Sequence, residues 1–418
     1  MGGAGPTQVG VAVLGAGQAG LAMSRCLTAR SIDHVLIERG EVGSSWRTER
    51  WDSLRLLTPN WMSRLPGHSY DGDDPNGFMT SDEVVEHLVR YRCSFDAPVQ
   101  ANTTVRSVRE RDAGYEVRTD QGTWTARAVV VATGACSTPH VPALAGHLPA
   151  SIRQLSPIHY RNPAEVEDGR VLVVGASASG VQLAEELQRA GREVTLAVGE
   201  HVRAPRSYRG RDIHWWMDRL GILDERFDAV EDLTRARRLH SLQLVGSPER
   251  RSLDLNALAE IGVELVGRFV GVVGTRAQLS GDLANNCASA DLKMDRLLDQ
   301  IDRRVAMLGL DRDLPPPDRP RPTTTPRAET SLDLRDVRTV IWATGFRPSY
   351  PWLERHLLDG KGGIRHHGGI MERPGMYVLG LPFTRRRKSS FLDGVGPDAV
   401  ELAGHLAHHL DATASRCG

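Results

Sequence analysis

Two stretches of the chain repeat one hydrophobic pattern. Val9-Gly-Val-Ala-Val-Leu14 is an almost unbroken apolar run, which predicts a strand buried on both faces. Gly15-Ala-Gly17-Gln18-Ala19-Gly20 follows, then a helical run through Leu21, Met23, Cys26 and Leu27, then the strand His34-Val-Leu-Ile37 ending on Glu38. The second stretch reads Arg170-Val-Leu-Val-Val174, Gly175-Ala-Ser177-Ala-Ser179-Gly180, a helix to Ala190 with Val181, Leu183, Ala184 and Leu187 apolar, and the strand Glu193 to Val198. Each is a strand, tight turn, helix and strand, the beta-alpha-beta unit of a parallel sheet.

Elsewhere the period changes. From Thr104 to Val131 apolar positions alternate (Val105, Val108, Tyr115, Val117, Trp124), broken at Asp112-Ala-Gly114 and Asp120-Gln-Gly122, which predicts three antiparallel strands. The last runs into Ala128 to Ala132 and stops on Thr133-Gly134, and Thr339-Val-Ile-Trp-Ala343-Thr344-Gly345 repeats that ending. Ser81-Asp-Glu83 caps a helix carrying Val84, Val85, Leu88 and Val89. Trp215, Trp216, Met217 and Leu220 form an amphipathic patch, Val263 to Val266 reads as strand, and Asp291 to Leu308 as a helix with Leu292, Met294, Leu297, Leu298 and Ile301 on one side. Pro315 to Pro326 reads as an extended surface loop, and Gly43-Ser-Ser-Trp46-Arg47 with Trp51 to Trp61 as a loop that is neither plain helix nor strand. A strand at Met376 to Gly380 precedes a final helix, Ala399 to Leu410, opened by Pro397 and Asp398.

At 418 residues the chain accommodates two domains. Its 52 basic and 52 acidic residues leave no global field toward nucleic acid or a membrane. No signal-like segment or membrane-length apolar run is present, so a cytoplasmic location is the expectation. Five scattered cysteines without a CxxC pair fit free thiols and argue against a dithiol centre or a metal site.

The glycines carry the chemistry. Gly15 turns the chain out of the strand, Gly17 lets a pyrophosphate approach the backbone, and Gly20 lets the helix sit close on the sheet, while the helix N-terminus attracts the anion. Glu38 at the next strand end suits an unphosphorylated ribose, so unit one is read as an FAD site. Unit two has Ser177 for the second glycine and no acid at the equivalent point. Arg203 and Arg206, with Arg209 and Arg211 beyond, are expected to bind a ribose 2′-phosphate, so unit two is read as an NADP site. Glu200 leaves NADH open. Ala132-Thr133-Gly134 and Ala343-Thr344-Gly345 are expected beside the nucleotides, and Trp46 and Arg47 against the flavin or nicotinamide, Arg47 being the catalytic candidate. Gln18, Ala19 and Arg39 complete the first set of cofactor contacts, and Ser179, Gly180 and Gly175 the second. Asp393 and Gly396 lie at a helix start placed to stabilise a reduced flavin.

In that order these motifs resemble the flavin-dependent monooxygenase superfamily with two dinucleotide-binding domains, which holds flavin-containing monooxygenases, N-hydroxylases and Baeyer–Villiger enzymes. The resemblance spans essentially the whole chain. It implies an α/β fold of two Rossmann-like (GR2-type) three-layer domains, the NADP domain inserted in the FAD domain. The parts are 1–165, the first FAD part; 166–335, the NADP domain with a helical insertion lining the substrate site; and 336–418, the second FAD part. One fingerprint departs: FxGxxxHxxx(Y/F), aligned on Tyr160, finds Ala150, Ile152 and Ser156 where Phe, Gly and His belong, with His159 out of register.

The resemblance further implies that NADPH reduces FAD, that oxygen adds to form a C4a-peroxyflavin, and that a small organic substrate receives one oxygen atom. The alternatives are an NAD(P)H-dependent flavin oxidoreductase or oxidase without oxygen transfer, and a flavoprotein that senses or scaffolds without turnover. The partners are a small-molecule substrate and molecular oxygen, with no nucleic acid and no membrane, and a homo-oligomer is left open.

Overall fold

The structure, a computed structural model, describes residues 5–112 and 114–417. Residues 1–4, Ala113 (where the sequence predicts a hairpin turn) and Gly418 lie outside the described residues, as do the side chains of residues 414–417.

The first unit is β1 (Thr7–Leu14), α1 (Gln18–Thr28) and β2 (His34–Ile37), followed by the short helix α2 (Ser44–Thr48), α3 (Ser81–Cys93), β3 (Val99–Gln100), β4 (Val105–Arg111), β5 (Gly114–Thr119) and β6 (Thr123–Val131). The second runs through β7 (Arg153–Leu155), β8 (Arg170–Val174), α4 (Ala178–Arg189) and β9 (Val194–Val198). Short pieces come next: β10 (Val202–Arg203), β11 (Ser207–Tyr208), β12 (Arg211–Asp212), α5 (Ile213–Arg219), α6 (Leu233–Arg237) and β13 (Leu242–Gln243). Then follow α7 (Leu255–Glu260), β14 (Glu264–Gly267), β15 (Phe269–Val273), β16 (Arg276–Leu279), α8 (Leu283–Met307), β17 (Ser331–Asp333) and β18 (Val337–Trp342). β19 (His366–His367), β20 (Ile370–Met371), β21 (Met376–Val378) and α9 (Leu392–Cys417) close the chain.

Two sheets organise these elements. In one, β21-β6-β1-β2-β3 run parallel, with the antiparallel β19-β20 at one edge and the β4–β5 hairpin carried on β6. In the other, β14-β9-β8-β18-β7 are all parallel. Alternate residues of each central strand feed opposite layers, as the two-residue side-chain period demands. Val11 and Val13 of β1 join the core under α1, α3 and α9, while Ala12 and Leu14 join the core shared with β4, β5 and Tyr350 to Ile364. Val171 and Val173 of β8 pack toward α4 and α7, whereas Leu172 and Val174 pack toward the antiparallel β15-β16-β17. Both units are therefore three-layered, which explains why their central strands read as unbroken apolar runs.

The sheets divide the chain differently from the boundaries expected after 165 and 335. β7 lies before the first and β18 beyond the second, yet both belong to the second sheet, because β18 pairs with β8 on one side and β7 on the other. The chain crosses between sheets through two connectors that run side by side. The Gly345 carbonyl accepts from the His140 N–H at 2.9 Å, the Thr138 carbonyl from the Arg347 N–H at 2.9 Å, and the Thr344 hydroxyl donates to the His140 carbonyl.

Other expectations shift locally. Gly43 to Arg47 is not loop throughout: Gly43 adopts a left-handed conformation (φ 72°) and launches α2. The final helix starts at Leu392, so Pro397 lies inside it rather than at its opening. On α8 the buried face is Met294, Leu298, Ile301 and Val305, and Leu292 is 52% exposed on the other side. Among the described residues, no helix is long and apolar enough to cross a membrane.

Candidate active site of two nucleotide cradles

The first cradle forms where β1 meets α1. Gly15 has φ 104°, and a β-carbon there would stand 2.7 Å from the Ala132 carbonyl oxygen, so the turn and the end of β6 touch. A β-carbon on Gly20 would fall 1.9 Å from the Gly15 oxygen, whereas one on Gly17 would meet nothing within 4 Å. Two glycines are thus demanded by packing, and the third leaves open space over the N-terminus of α1. Gly17 is the N-cap and offers no side-chain acceptor, so the first N–H groups of the helix keep their capacity for an anion. Glu38 reaches back to this turn and accepts from Ala16 N–H at 2.8 Å and Gly40 N–H at 3.0 Å. These bonds orient its carboxylate at the mouth of the cradle, with lone pairs remaining to accept further hydrogen bonds.

Three further strand ends or loops converge here. Ala132 is buried and Thr133 exposed, with Gly134 in a left-handed conformation (φ 74°). Gly380, beyond β21, approaches so closely that a β-carbon on it would lie 2.6 Å from that of Ala19. Gln18 donates to the Ser390 carbonyl at 3.5 Å, tying the cradle to the loop before α9. The sequence placed Gly380 at a strand end but not at the cradle, although its signal, a small residue ending an apolar strand, matches that of Ala132 to Gly134.

At α9 the expected residues are held by charge. Asp393, buried, accepts from Lys388 Nζ at 2.7 Å and from Arg64 Nε. Burial works against the Lys388 charge, but Asp393 and Asp224 outweigh it and hold the ammonium above its ordinary pKa. Gly396 packs on Pro66, its β-carbon position 3.2 Å from Pro66 Cδ. The Asp393 carboxylate is therefore occupied by two cations, and the free groups at this helix start are backbone N–H groups. Trp46 packs against the cores of both units, with the Arg50 guanidinium 5.3 Å from its ring centroid. Arg47 is exposed and has no side-chain partner among the described residues. Arg39 turns outward to an ion pair with Glu49.

The second cradle repeats the first. Gly175 has φ 107° and meets the Ala343 carbonyl oxygen, 2.5 Å from its β-carbon position, and Gly180 meets the Gly175 oxygen at 1.8 Å. Ser177 caps α4 without a side-chain hydrogen bond, so its hydroxyl stands free beside the helix N–H groups, and Ser179 is half-buried. Thr344 is tied to His140, and Gly345 turns left-handed (φ 83°) into the connector. Gln243 of β13, which the sequence did not signal, is fully buried and donates to the Ala176 carbonyl at 2.7 Å, bracing this turn from the side.

Arg203 and Arg206 do not join this cradle as expected. Arg203 is 2% exposed and bonds Asp254 at 2.7 Å, Asp291, and the Arg321 carbonyl at 2.9 Å. Arg206 is 1% exposed and bonds the Leu57 carbonyl at 2.8 Å and Asp212 at 2.9 Å, lying 4.9 Å from the Phe78 centroid. Arg209 pairs with Asp302 and Asp311, and Arg211 lies over Trp215. Buried guanidinium groups need such acids to offset desolvation, which commits Arg203 and Arg206 to holding the fold.

Comparison with known proteins places the chain among related oxidoreductases. Residues 12–218 match the family described as pyridine nucleotide-disulphide oxidoreductase. An oxidoreductase of Geobacillus kaustophilus named CzcO-like is 32% identical over 404 residues, covering 96% of this chain and 99% of that protein. Indole-3-pyruvate monooxygenase YUCCA6 of Arabidopsis thaliana is 32% identical over 214 residues, 48% of this chain and 50% of that one. In fold, the flavin-containing monooxygenase of Stenotrophomonas maltophilia superposes with a TM-score of 0.66 at 23% identity, over 96% of this chain and 99% of that chain. The chain belongs to the CzcO-like oxidoreductases, has homologues among the flavin monooxygenases, and uses FAD and NADPH as cofactors.

Proposed function

We propose that the protein is an NADPH- and FAD-dependent monooxygenase acting on a small organic substrate with molecular oxygen in the cytoplasm. The observation that carries this reading is the pair of matched cradles on adjoining three-layer units, each an open turn at a helix N-terminus backed by a small-residue strand end. The flavin, when bound, supplies electron transfer and oxygen activation. The chain supplies position. Gly17 and the first turn of α1 would hold the FAD pyrophosphate and Glu38 its adenosine ribose, and the N-terminus of α9 would offer backbone N–H groups to the negative charge of the reduced flavin. Ser177 and the first turn of α4 hold the pyridine-nucleotide pyrophosphate. Trp46, wedged between both cores, excludes water from the junction, and Arg47 extends from the same short helix as a free cation for a ligand.

No CxxC pair occurs in the sequence, and Cys26, Cys93, Cys136 and Cys287 are free, which disfavours a disulfide reductase despite the name of the matched family. The reading is tested by supplying NADPH and oxygen to the flavin-loaded enzyme and comparing NADPH consumed with hydrogen peroxide released. A panel of amines, sulfides and ketones is then added. A substrate that lowers peroxide yield while gaining one oxygen atom supports a monooxygenase. Full conversion to peroxide with every compound favours the NAD(P)H oxidase reading.

A further inference from the structure

With Arg203 and Arg206 committed elsewhere, the pyridine-nucleotide cradle needs another reader for a ribose 2′-phosphate. In a parallel unit of this kind the adenosine ribose lies across the carboxyl end of the second strand, here β9, which ends at Val198 and is followed by Gly199. The groups β9 itself sends there suit no phosphate. Gly199 has no side chain, Glu200 is an exposed acid, and His201 is turned inward, its Nδ1 3.0 Å from the Gly199 carbonyl oxygen.

The neighbouring edge strand provides the cation. β14 pairs in register with β9, Gly267 opposite Val198, so Arg268 emerges beside Gly199. Its Cδ and Cγ lie 3.6 and 3.7 Å from the position a β-carbon on Gly199 would take. Its backbone is pinned by the Ser280 N–H donating to the Arg268 carbonyl at 2.8 Å, while its side chain is exposed and has no hydrogen bond or ion pair among the described residues. Arg203, Arg206 and Arg209 are all neutralised by acids; Arg268, at the strand end, is not.

We infer that Arg268, reaching across from β14, is the residue that selects NADPH over NADH by binding the 2′-phosphate. This rests on the proposed nucleotide role of the second cradle. A free guanidinium on an aliphatic stem anchored at the strand end presents a planar fork to a phosphate, and Glu200 across the same end repels the phosphate unless that cation is present.

The test uses the flavin-loaded enzyme and titrates 2′,5′-ADP and 5′-AMP by calorimetry, alongside the Michaelis constants for NADPH and NADH. The parent binds 2′,5′-ADP more tightly. Arg268→Gln weakens 2′,5′-ADP about 10- to 100-fold, leaves 5′-AMP unchanged, and raises the constant for NADPH but not NADH; Arg268→Lys restores part of the preference. If the parent prefers 2′,5′-ADP and Arg268→Gln keeps that preference, the assignment of Arg268 is wrong while the NADPH reading stands. Equal binding of both nucleotides by the parent overturns the NADPH reading and the role of Arg268 with it. Equal weakening of both by Arg268→Gln makes the side chain structural and overturns the selection.

Discussion

Single residues show which sequence signals were readable. Gly15, Gly17 and Gly20 announced themselves because each meets a backbone constraint that only glycine satisfies or leaves space that only glycine leaves. Their failures should differ. Gly20→Ala drives a β-carbon into the Gly15 carbonyl, so the protein should be recovered with less folded material and little flavin. Gly17→Ala adds a methyl to open space, so the melting temperature without flavin should stay within about a degree while FAD affinity drops at least about tenfold, as flavin retained after gel filtration would report. Arg203 and Arg206 misled because proximity in sequence to a strand end says nothing about which way a long side chain turns. The partners of Arg203, Asp254 and Asp291, come from distant segments, and that of Arg206, Asp212, from across the β11–β12 turn. Arg203→Ala should cost about 3 kcal/mol of unfolding free energy in urea, leaving two acids without their cation, and should not alter the preference between NADPH and NADH. His87 gives a pH signature. It is fully buried with neither ring nitrogen bonded, and burial first, then His68 and Arg90, push its pKa down from an ordinary 6.5 to about 4. Below pH 6.5 the unfolded chain takes up a proton that the native ring refuses, so this contribution is whole above pH 6.5 and lost as pH falls toward 4. The urea midpoint of His87→Phe should decline less over that interval than that of the parent.

Elements were legible where the period was long and illegible where tertiary contacts set the ends. The three antiparallel strands of residues 105–131 and both beta-alpha-beta units stand where alternation and apolar runs put them. α2 went unseen, since five residues cannot nucleate a helix alone. It is held from outside: Gly43 rests on Val85 and Leu88 of α3, its β-carbon position 3.5 and 3.6 Å from their side chains. α3 in turn starts on a capping box, Thr80 accepting from Glu83 N–H at 3.2 Å and Glu83 from Thr80 N–H at 2.7 Å, as the Ser-Asp-Glu signal foretold one residue late. Thr80→Ala should cost about 1 kcal/mol in urea unfolding. Because α3 braces the helix bearing Trp46 and Arg47, it should also loosen the junction of the two units, seen as raised hydrogen exchange at residues 44–48.

At the scale of the whole molecule, the segment from 212 to 247 straps the second unit to the first, which no local pattern forecast. Glu225 pairs with Arg387, Asp224 with Lys388 at 3.1 Å, and Glu401 takes Arg226, Arg385 and Arg386. Burial alone would raise the Glu401 pKa, but Arg386 and Arg385 pull it down to about 2, so this carboxylate keeps its charge from neutral pH down to about that value and the strap holds against mild acid. Salt is the sharper probe, since these pairs are partly exposed. Glu401→Gln, or the parent at high ionic strength, should be cleaved faster by protease between residues 221 and 241. The paired connectors set a different property. The chain leaves the first unit and returns to it through one doorway, with Thr138 and His140 beside Gly345 and Arg347. The nucleotide module beyond is thus a cassette. A single cut-and-join event can exchange it without rethreading the first sheet, provided the incoming module brings acids that meet Arg387 and Lys388 and a cation that meets Glu401.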